Sequence, residues 1–208
     1  MGPSPASVDP STPRYFAIVP AAGRSARMGA PKLLLPWKHG TLIEQVLAAW
    51  RASRVAKTFV VVHPADVTLA DVCRRAGAEV VVPDDPPPDM KASVRHALAW
   101  IAAQHAPQES DAWLLAPADM PRLSAALIDT VVAAHDPAAP RVVLAASGGR
   151  RGHPVLFPWA LAAEVPRLGP HEGLNALVGR NTVVEISWSD DSPLLDIDNP
   201  EDYRRLRT

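Results

Sequence analysis

At 208 residues the chain is long enough to bury the core of one α/β domain. Its formal charge of −1 argues against a general nucleic-acid binder, which normally shows a basic stripe; a local cation cluster for a nucleotide is still compatible. The single cysteine, Cys73, excludes an intrachain disulfide, and no apolar run approaches the length of a membrane span.

Residues 1–13 are rich in Pro and Ser and read as a disordered tail without the apolar core of a secretory signal. The expected placement is cytoplasmic, with residues 14–208 as one domain. Tyr15 to Val19 is an apolar run of β-formers, a buried strand. It leads into Ala21, Ala22, Gly23, Arg24 and Ser25, small residues that let a loop backbone approach a ligand. Arg27 and Lys32 follow, with Gly29 and Pro31 opposing helix formation. Converging backbone N–H groups and spaced cations suit a triphosphate. An ordinary strand-to-helix loop carrying two solvated cations fits the same residues. Neither the Walker pattern nor the dinucleotide glycine fingerprint is present.

Thr41 with Glu44 forms the capping box of a helix to Ser53. Thr58 to Val62 is a second strand, and Asp66 to Ala76 a helix that Gly77 ends. A third strand covers Glu79 to Val82. The loop from Pro83 to Asp89 precedes a helix over Lys91 to Gln104, whose first turn carries Ser93 near free N–H groups. Plain helix-start chemistry accounts for that serine equally well. Ala112 to Ala116 is a fourth strand ending in Pro117-Ala118-Asp119-Met120-Pro121. A carboxylate just past a strand's C-terminal end sits where open α/β sheets bind ligands, although a turn also favours Asp. A helix over Ser124 to His135 and a strand over Arg141 to Ala146 come next. The Gly148-Gly149 turn leads to Gly152-His153-Pro154-Val155-Leu156-Phe157. Strands are expected at Thr182 to Trp188 and at Leu194 to Asp198. In the second, alternation would place Asp196 and Asp198 on one face. Asn199 and Pro200 then open a final helix. Alternating strands and helices predict a mostly parallel sheet covered on both faces, a Rossmann-like three-layer α/β sandwich. The Gly-His-Pro region adds an antiparallel excursion.

Residues 21–32, Ala-Ala-Gly-x-Ser-x-Arg-Met-Gly-x-x-Lys, resemble the signature loop of the MobA-like NTP transferases. The following Leu33-Leu34-Leu35-Pro36 is similar to the molybdenum cofactor cytidylyltransferase branch. The resemblance extends over roughly Tyr15 to Leu206. It implies that residues 21–25 hold the nucleotide and that Ser93 borders its base and ribose. Arg27 and Lys32 would act on the triphosphate, and Asp119 and Asp198 would hold Mg²⁺. His153 would lie on the second-substrate side and could donate to a substrate phosphate; a structural histidine ending the turn fits as well. Asp89 and Ala118 stand where relatives carry Gly. The pattern is lost most clearly at Gly169 to Ala176, where the family's Asp and Arg are replaced; Asn175 is the substitute candidate there.

The reaction so implied is transfer of a nucleoside monophosphate onto a small phosphorylated acceptor, with pyrophosphate released. Cytidylyl-transferring relatives share the Ala-Ala-Gly form and guanylyl-transferring ones read Leu-Ala-Gly-Gly, which points to CTP. Three functions stay open: cytidylylation of molybdopterin, transfer to a sugar or alditol phosphate, and a non-catalytic nucleotide-binding module.

Overall fold

The computed structural model describes residues 12–23 and 31–207. Its elements in chain order begin with β1 (Tyr15–Ala21), the short β2 (Pro36–Trp37) and β3 (Gly40–Thr41), and α1 (Leu42–Arg51). Then come β4 (Lys57–Val62), α2 (Val67–Arg75), β5 (Glu79–Val81), α3 (Met90–His105), β6 (Ala112–Leu115) and α4 (Ala125–Ala133). The chain continues through β7 (Val142–Ser147), β8 (Arg150–Pro158), a 3₁₀ stretch over Trp159–Arg167, α5 (Asn175–Arg180) and β9 (Val183–Ser187). A 3₁₀ turn, Ser192–Leu194, and α6 (Pro200–Arg207) end it.

Seven strands form one sheet in the order β5-β4-β1-β6-β8-β7-β9. All neighbours are parallel except β8, which runs antiparallel to β6 and β7. This is the α/β architecture that the alternation predicts, with the Gly-His-Pro strand as its antiparallel member. The β7–β8 connection is tight because Gly148 (φ +55°) and Gly149 (φ +76°) supply the two left-handed residues of a type I′ turn.

Strand alternation divides the core. Ala17, Val19 and Ala21 of β1 face the layer of α1, α2 and α4, whereas Phe16 and Ile18 face α3 and α5. The helices form where their caps predict. Thr41 accepts from the Glu44 amide while the Glu44 carboxylate accepts from Thr41, a complete capping box. After α2, Gly77 (φ +89°) closes a Schellman motif, its amide on Arg74 and that of Ala78 on Cys73.

The final segment departs from expectation. Leu194 to Asp198 is not a strand. After the Ser192–Leu194 turn the backbone is irregular. It crosses the site edge, tied to the loop after β6 by one hydrogen bond from Ile197 N to Asp119 O (3.0 Å). Pro193 precedes this segment in the turn, and its carbonyl packs so closely on Gly152 that a Cβ there would sit 2.3 Å from the oxygen. The β2–β3 hairpin, the 3₁₀ stretch over Trp159–Arg167 and α5 also lie beyond the sequence reading.

Candidate active site at the C-terminal edge of the sheet

β1 and β6 are adjacent and parallel, with Ile18 opposite Leu115. Residues 22–23, which follow β1, and the loop 116–121, which follows β6, therefore emerge side by side at one edge. β8 runs the other way, so His153 comes back to the same edge, two residues before Val155, the partner of Leu115.

Lys32 is the first residue of a 3₁₀ turn, Lys32–Leu34, that Leu33 anchors in the core. The turn fixes where the lysine stem starts, and the side chain is only 13% exposed. Its ammonium donates to Asp119 Oδ2 at 2.6 Å and to the Ile197 carbonyl at 2.5 Å. Asp198 Oδ1 lies 4.0 Å away. Nearly eighty residues separate the two aspartates in sequence, yet one ammonium contacts both.

Ile197 makes this possible. Its side chain is fully buried and joins the core under the edge. Such burial contributes roughly 1.5–3 kcal/mol and pins the flanking Asp196 and Asp198 at the surface. Asn199 then caps α6 by accepting from the amides of Glu201 and Asp202, and the Asp198 amide donates to the Asp202 carboxylate. The carboxylates of residues 196 and 198 are thus placed by a buried isoleucine and a helix start, in place of strand alternation.

Asp119 Oδ1 is buried and has no hydrogen-bond partner among the described residues. An orphaned carboxylate oxygen in a low-dielectric position is costly. Beside a second carboxylate it is the donor that a hard cation takes. Asp196 senses the same negative field: partial burial of its carboxyl raises its pKa, and the charges of Asp119 and Asp198 raise it further. Among the described residues no cluster of three or more metal-ligating side chains occurs, so a cation here would rest on the aspartate pair, with further oxygens from a ligand or water.

The other expected site residues are placed as follows. Ala21 and Ala22 are buried at the end of β1, and Gly23 is exposed. A methyl on Gly23 would meet no described atom within 4 Å. Arg24, Ser25 and Arg27 lie outside the described residues. Ser93 is buried, and its hydroxyl donates back to the Asp89 carbonyl at 3.2 Å. Asp89, the residue in place of the family's Gly, caps α3 by accepting from Ala92 N. Asn175 is exposed in the first turn of α5, which packs on the α3 face of the sheet. Lys91 ties the Gly169 carbonyl to the start of α3 at 2.7 Å.

His153 Nδ1 lies 3.3 Å from the Leu115 carbonyl. A carbonyl only accepts, so Nδ1 carries the proton. Burial lowers the histidine's pKa and outweighs the opposing effects of the Leu115 bond and the Asp119 charge. In the neutral ring Nε2 is an acceptor, whereas the phosphate donation expected from the sequence needs a donor. The carbonyl partner is absent from any sequence motif.

Similarity to known proteins agrees with this geometry. Residues 17–185 match the family model of the MobA-like NTP transferase domain. A 125-residue stretch, 59% of this chain, is 35% identical to a 2-C-methyl-D-erythritol 4-phosphate cytidylyltransferase of Burkholderia vietnamiensis; it spans 52% of that relative, about half its length. The crystal structure of Rv0371c from Mycobacterium tuberculosis superposes with a TM-score of 0.79 at 29% identity, covering 93% of this chain and 97% of that one. A manganese complex of Rv0371c gives a TM-score of 0.74 at 28% identity, covering 95% and 99%. No helix among the described residues is long and apolar enough to cross a membrane. With a family match that takes in the loop after β1, the loop after β6 and the antiparallel strand bearing His153, the chain belongs to the MobA-like NTP transferase domain family.

Proposed function

We propose that this protein is a Mg²⁺-dependent nucleotidyltransferase that moves CMP from CTP onto a phosphate-bearing acceptor such as molybdopterin. The observation that carries the reading is the meeting of Lys32, Asp119 and Asp198 at the C-terminal edge of the sheet, with Asp119 Oδ1 buried and unpartnered. The oxygen-only donors of Asp119 and Asp198 fit a hard divalent ion; bound there, it would neutralise charge on the triphosphate oxygens. The manganese complex of Rv0371c supports a divalent ion in a relative.

An acceptor phosphate attacks the α-phosphorus, and the bond to the bridging oxygen of pyrophosphate breaks. Such a displacement needs positioning and charge neutralisation more than a protein nucleophile. The backbone at 21–25 holds the phosphates and one edge of the base. Lys32 and Arg27 bear on the triphosphate and the departing pyrophosphate. Ser93 stands at the start of α3, beside the expected base and ribose, where its contribution is to hold the helix turn. His153 presents an acceptor nitrogen, and Asn175 is assigned to the second-substrate side.

A second reading has its own support. The Burkholderia relative's name describes a cytidylyl transfer to a 4-phosphate of an alditol, which agrees with CTP and favours an alditol or sugar phosphate as acceptor. A screen of molybdopterin, alditol phosphates and sugar phosphates against CTP, GTP, ATP and UTP, read by pyrophosphate release, separates the two. Release with CTP and molybdopterin alone supports the first reading. Release with an alditol phosphate alone replaces it, and no release with any pair sinks the enzyme assignment.

A further inference from the structure

The Lys32 ammonium is enclosed by oxygens. It gives two of its protons to Asp119 Oδ2 and the Ile197 carbonyl, and it faces Asp198 Oδ1 at 4.0 Å. Two of these oxygens belong to the aspartate pair of the proposed cation site, and Asp119 Oδ1 is the oxygen of that pair the ammonium does not engage. The lysine and Asp119 side chains are both largely buried, so their charges are poorly screened from each other, whereas Asp198 is about half exposed. Lys32 is also the last residue of the loop motif and starts 3₁₀ turn 32–34, so its stem is held from below by Leu33. From that fixed point the ammonium faces the carboxylates. The triphosphate-binding role requires it to face phosphate oxygens.

Two of the three ammonium protons are committed to Asp119 Oδ2 and the Ile197 carbonyl. A divalent ion between Asp119 and Asp198 brings two positive charges to within a few ångströms of each other, and repulsion opposes it. A triphosphate resolves the conflict by offering Lys32 a new anionic partner. We infer that Lys32 is the built-in counter-ion of the Asp119–Asp198 pair, weakening the binding of a free divalent ion and releasing the pair when a triphosphate draws the ammonium away. The inference rests on reading those aspartates as the metal pair. Metal and nucleotide are then coupled through one side chain, and by reciprocity each strengthens the other's binding. The protein takes its ion together with the nucleotide and is poorly loaded by the ion alone.

The test is a Mn²⁺ titration followed by electron paramagnetic resonance, with no nucleotide present, on the wild type, Lys32→Met, Lys32→Gln and Asp119→Asn. Loss of the competing ammonium should tighten Mn²⁺ binding in both lysine variants by about ten- to a hundredfold, the scale of one charge-assisted contact. With a non-hydrolysable CTP analogue present, that advantage should vanish or reverse. If both lysine variants bind Mn²⁺ no more tightly than the wild type while Asp119→Asn loses binding, the counter-ion role is wrong and the metal pair stands. If Asp119→Asn binds Mn²⁺ as the wild type does, the metal pair itself is wrong and the inference falls with it. A measurement on the unaltered protein covers the case of misfolded variants. The chain has four lysines, Lys32, Lys38, Lys57 and Lys91, so selective ¹³C-lysine labelling gives four ε-methylene signals, assigned by Lys→Arg changes at 38, 57 and 91. The Lys32 signal should move on adding Mg²⁺ with the CTP analogue and hold its position with Mg²⁺ alone at the same concentration. A signal that shifts equally under both conditions, or under neither, overturns the inference.

Discussion

Gly152→Ala is the sharpest test of how the carboxylates are placed. The new Cβ would lie 2.3 Å from the Pro193 carbonyl oxygen, 2.7 Å from its carbon and 2.9 Å from Leu194 Cδ2. The first two are backbone atoms, so the crowding is not relieved by a rotamer change. Either β8 or the 192–194 turn must move. β8 is held by β7 on either side of Gly152, with Arg151 opposite Ala146 and Val155 opposite Leu144, and by β6 from Val155 onward, whereas the turn is preceded by Asp191, whose carboxylate accepts from Ser147 at 3.0 Å. The turn should yield, and it leads directly to Asp196, Ile197 and Asp198. Overpacking of this kind costs about 1–3 kcal/mol. For a domain of this size each kcal/mol lowers Tm by about 2–4 °C, so a fall of roughly 2–12 °C is expected. Turnover should fall by more than stability explains, because Asp198 shifts relative to Asp119. Thermal unfolding by circular dichroism, with pyrophosphate-release kinetics well below Tm, measures both. Gly179→Ala is the control: nothing lies within 4 Å of that position, and in helix α5 alanine should be neutral or stabilise by up to about 1 kcal/mol. A Gly152→Ala protein with wild-type Tm and wild-type turnover would refute the argument that this contact positions the aspartate segment.

Three further outcomes are expected. Asp119→Asn should fold, since Lys32 keeps the Ile197 carbonyl and Asp198, but should lose turnover by at least about a hundredfold; near-normal kinetics would exclude Asp119 from the chemistry. If, as proposed, the base edge meets the loop at Ala22, CTP should bind more tightly than GTP in Mg²⁺-containing titrations by roughly 10- to 200-fold, the value of one methyl group in a pocket. Equal or tighter GTP binding would refute that assignment. Cys73 is fully buried on α2, and burial, reinforced by Asp66, pushes its thiol up to about 12. The unfolded thiol ionises near 8.5, so the folded state holds one more proton between that pH and 12. The stability linked to Cys73 is thus intact below pH 8.5 and lost progressively as pH rises toward 12. Cys73→Ala should flatten that loss, and a disulfide reagent at pH 8 should modify the wild type only after unfolding; fast labelling of the native protein would contradict the burial.

What the sequence made legible follows from how local each signal is. The capping box at Thr41, the Schellman glycine at Gly77 and the Gly148-Gly149 turn are decided by residues within a few positions of one another, and all three form as the sequence predicts. The apolar runs set the sheet because a parallel strand buried on both faces needs little beyond such a run. Asp119 was visible for the same reason: the end of a strand is a place that topology alone makes special. Leu194 to Asp198 misleads because its pattern of apolar and acidic residues is that of a strand, while its conformation is decided by Pro193 meeting Gly152, some forty residues away. No window on the sequence contains both. The lysine presents the opposite case. Its place in the signature loop suggests a phosphate ligand, and nothing nearby suggests a carboxylate partner; the pairing with Asp119 and the Ile197 carbonyl arises only when β1 and β6 lie side by side and Ile197 is drawn into the core. His153 is similar, since the carbonyl that sets its tautomer belongs to a strand 38 residues earlier. Residue types in this chain therefore announce the chemistry, and long-range backbone contacts decide which atom of each residue is available to perform it.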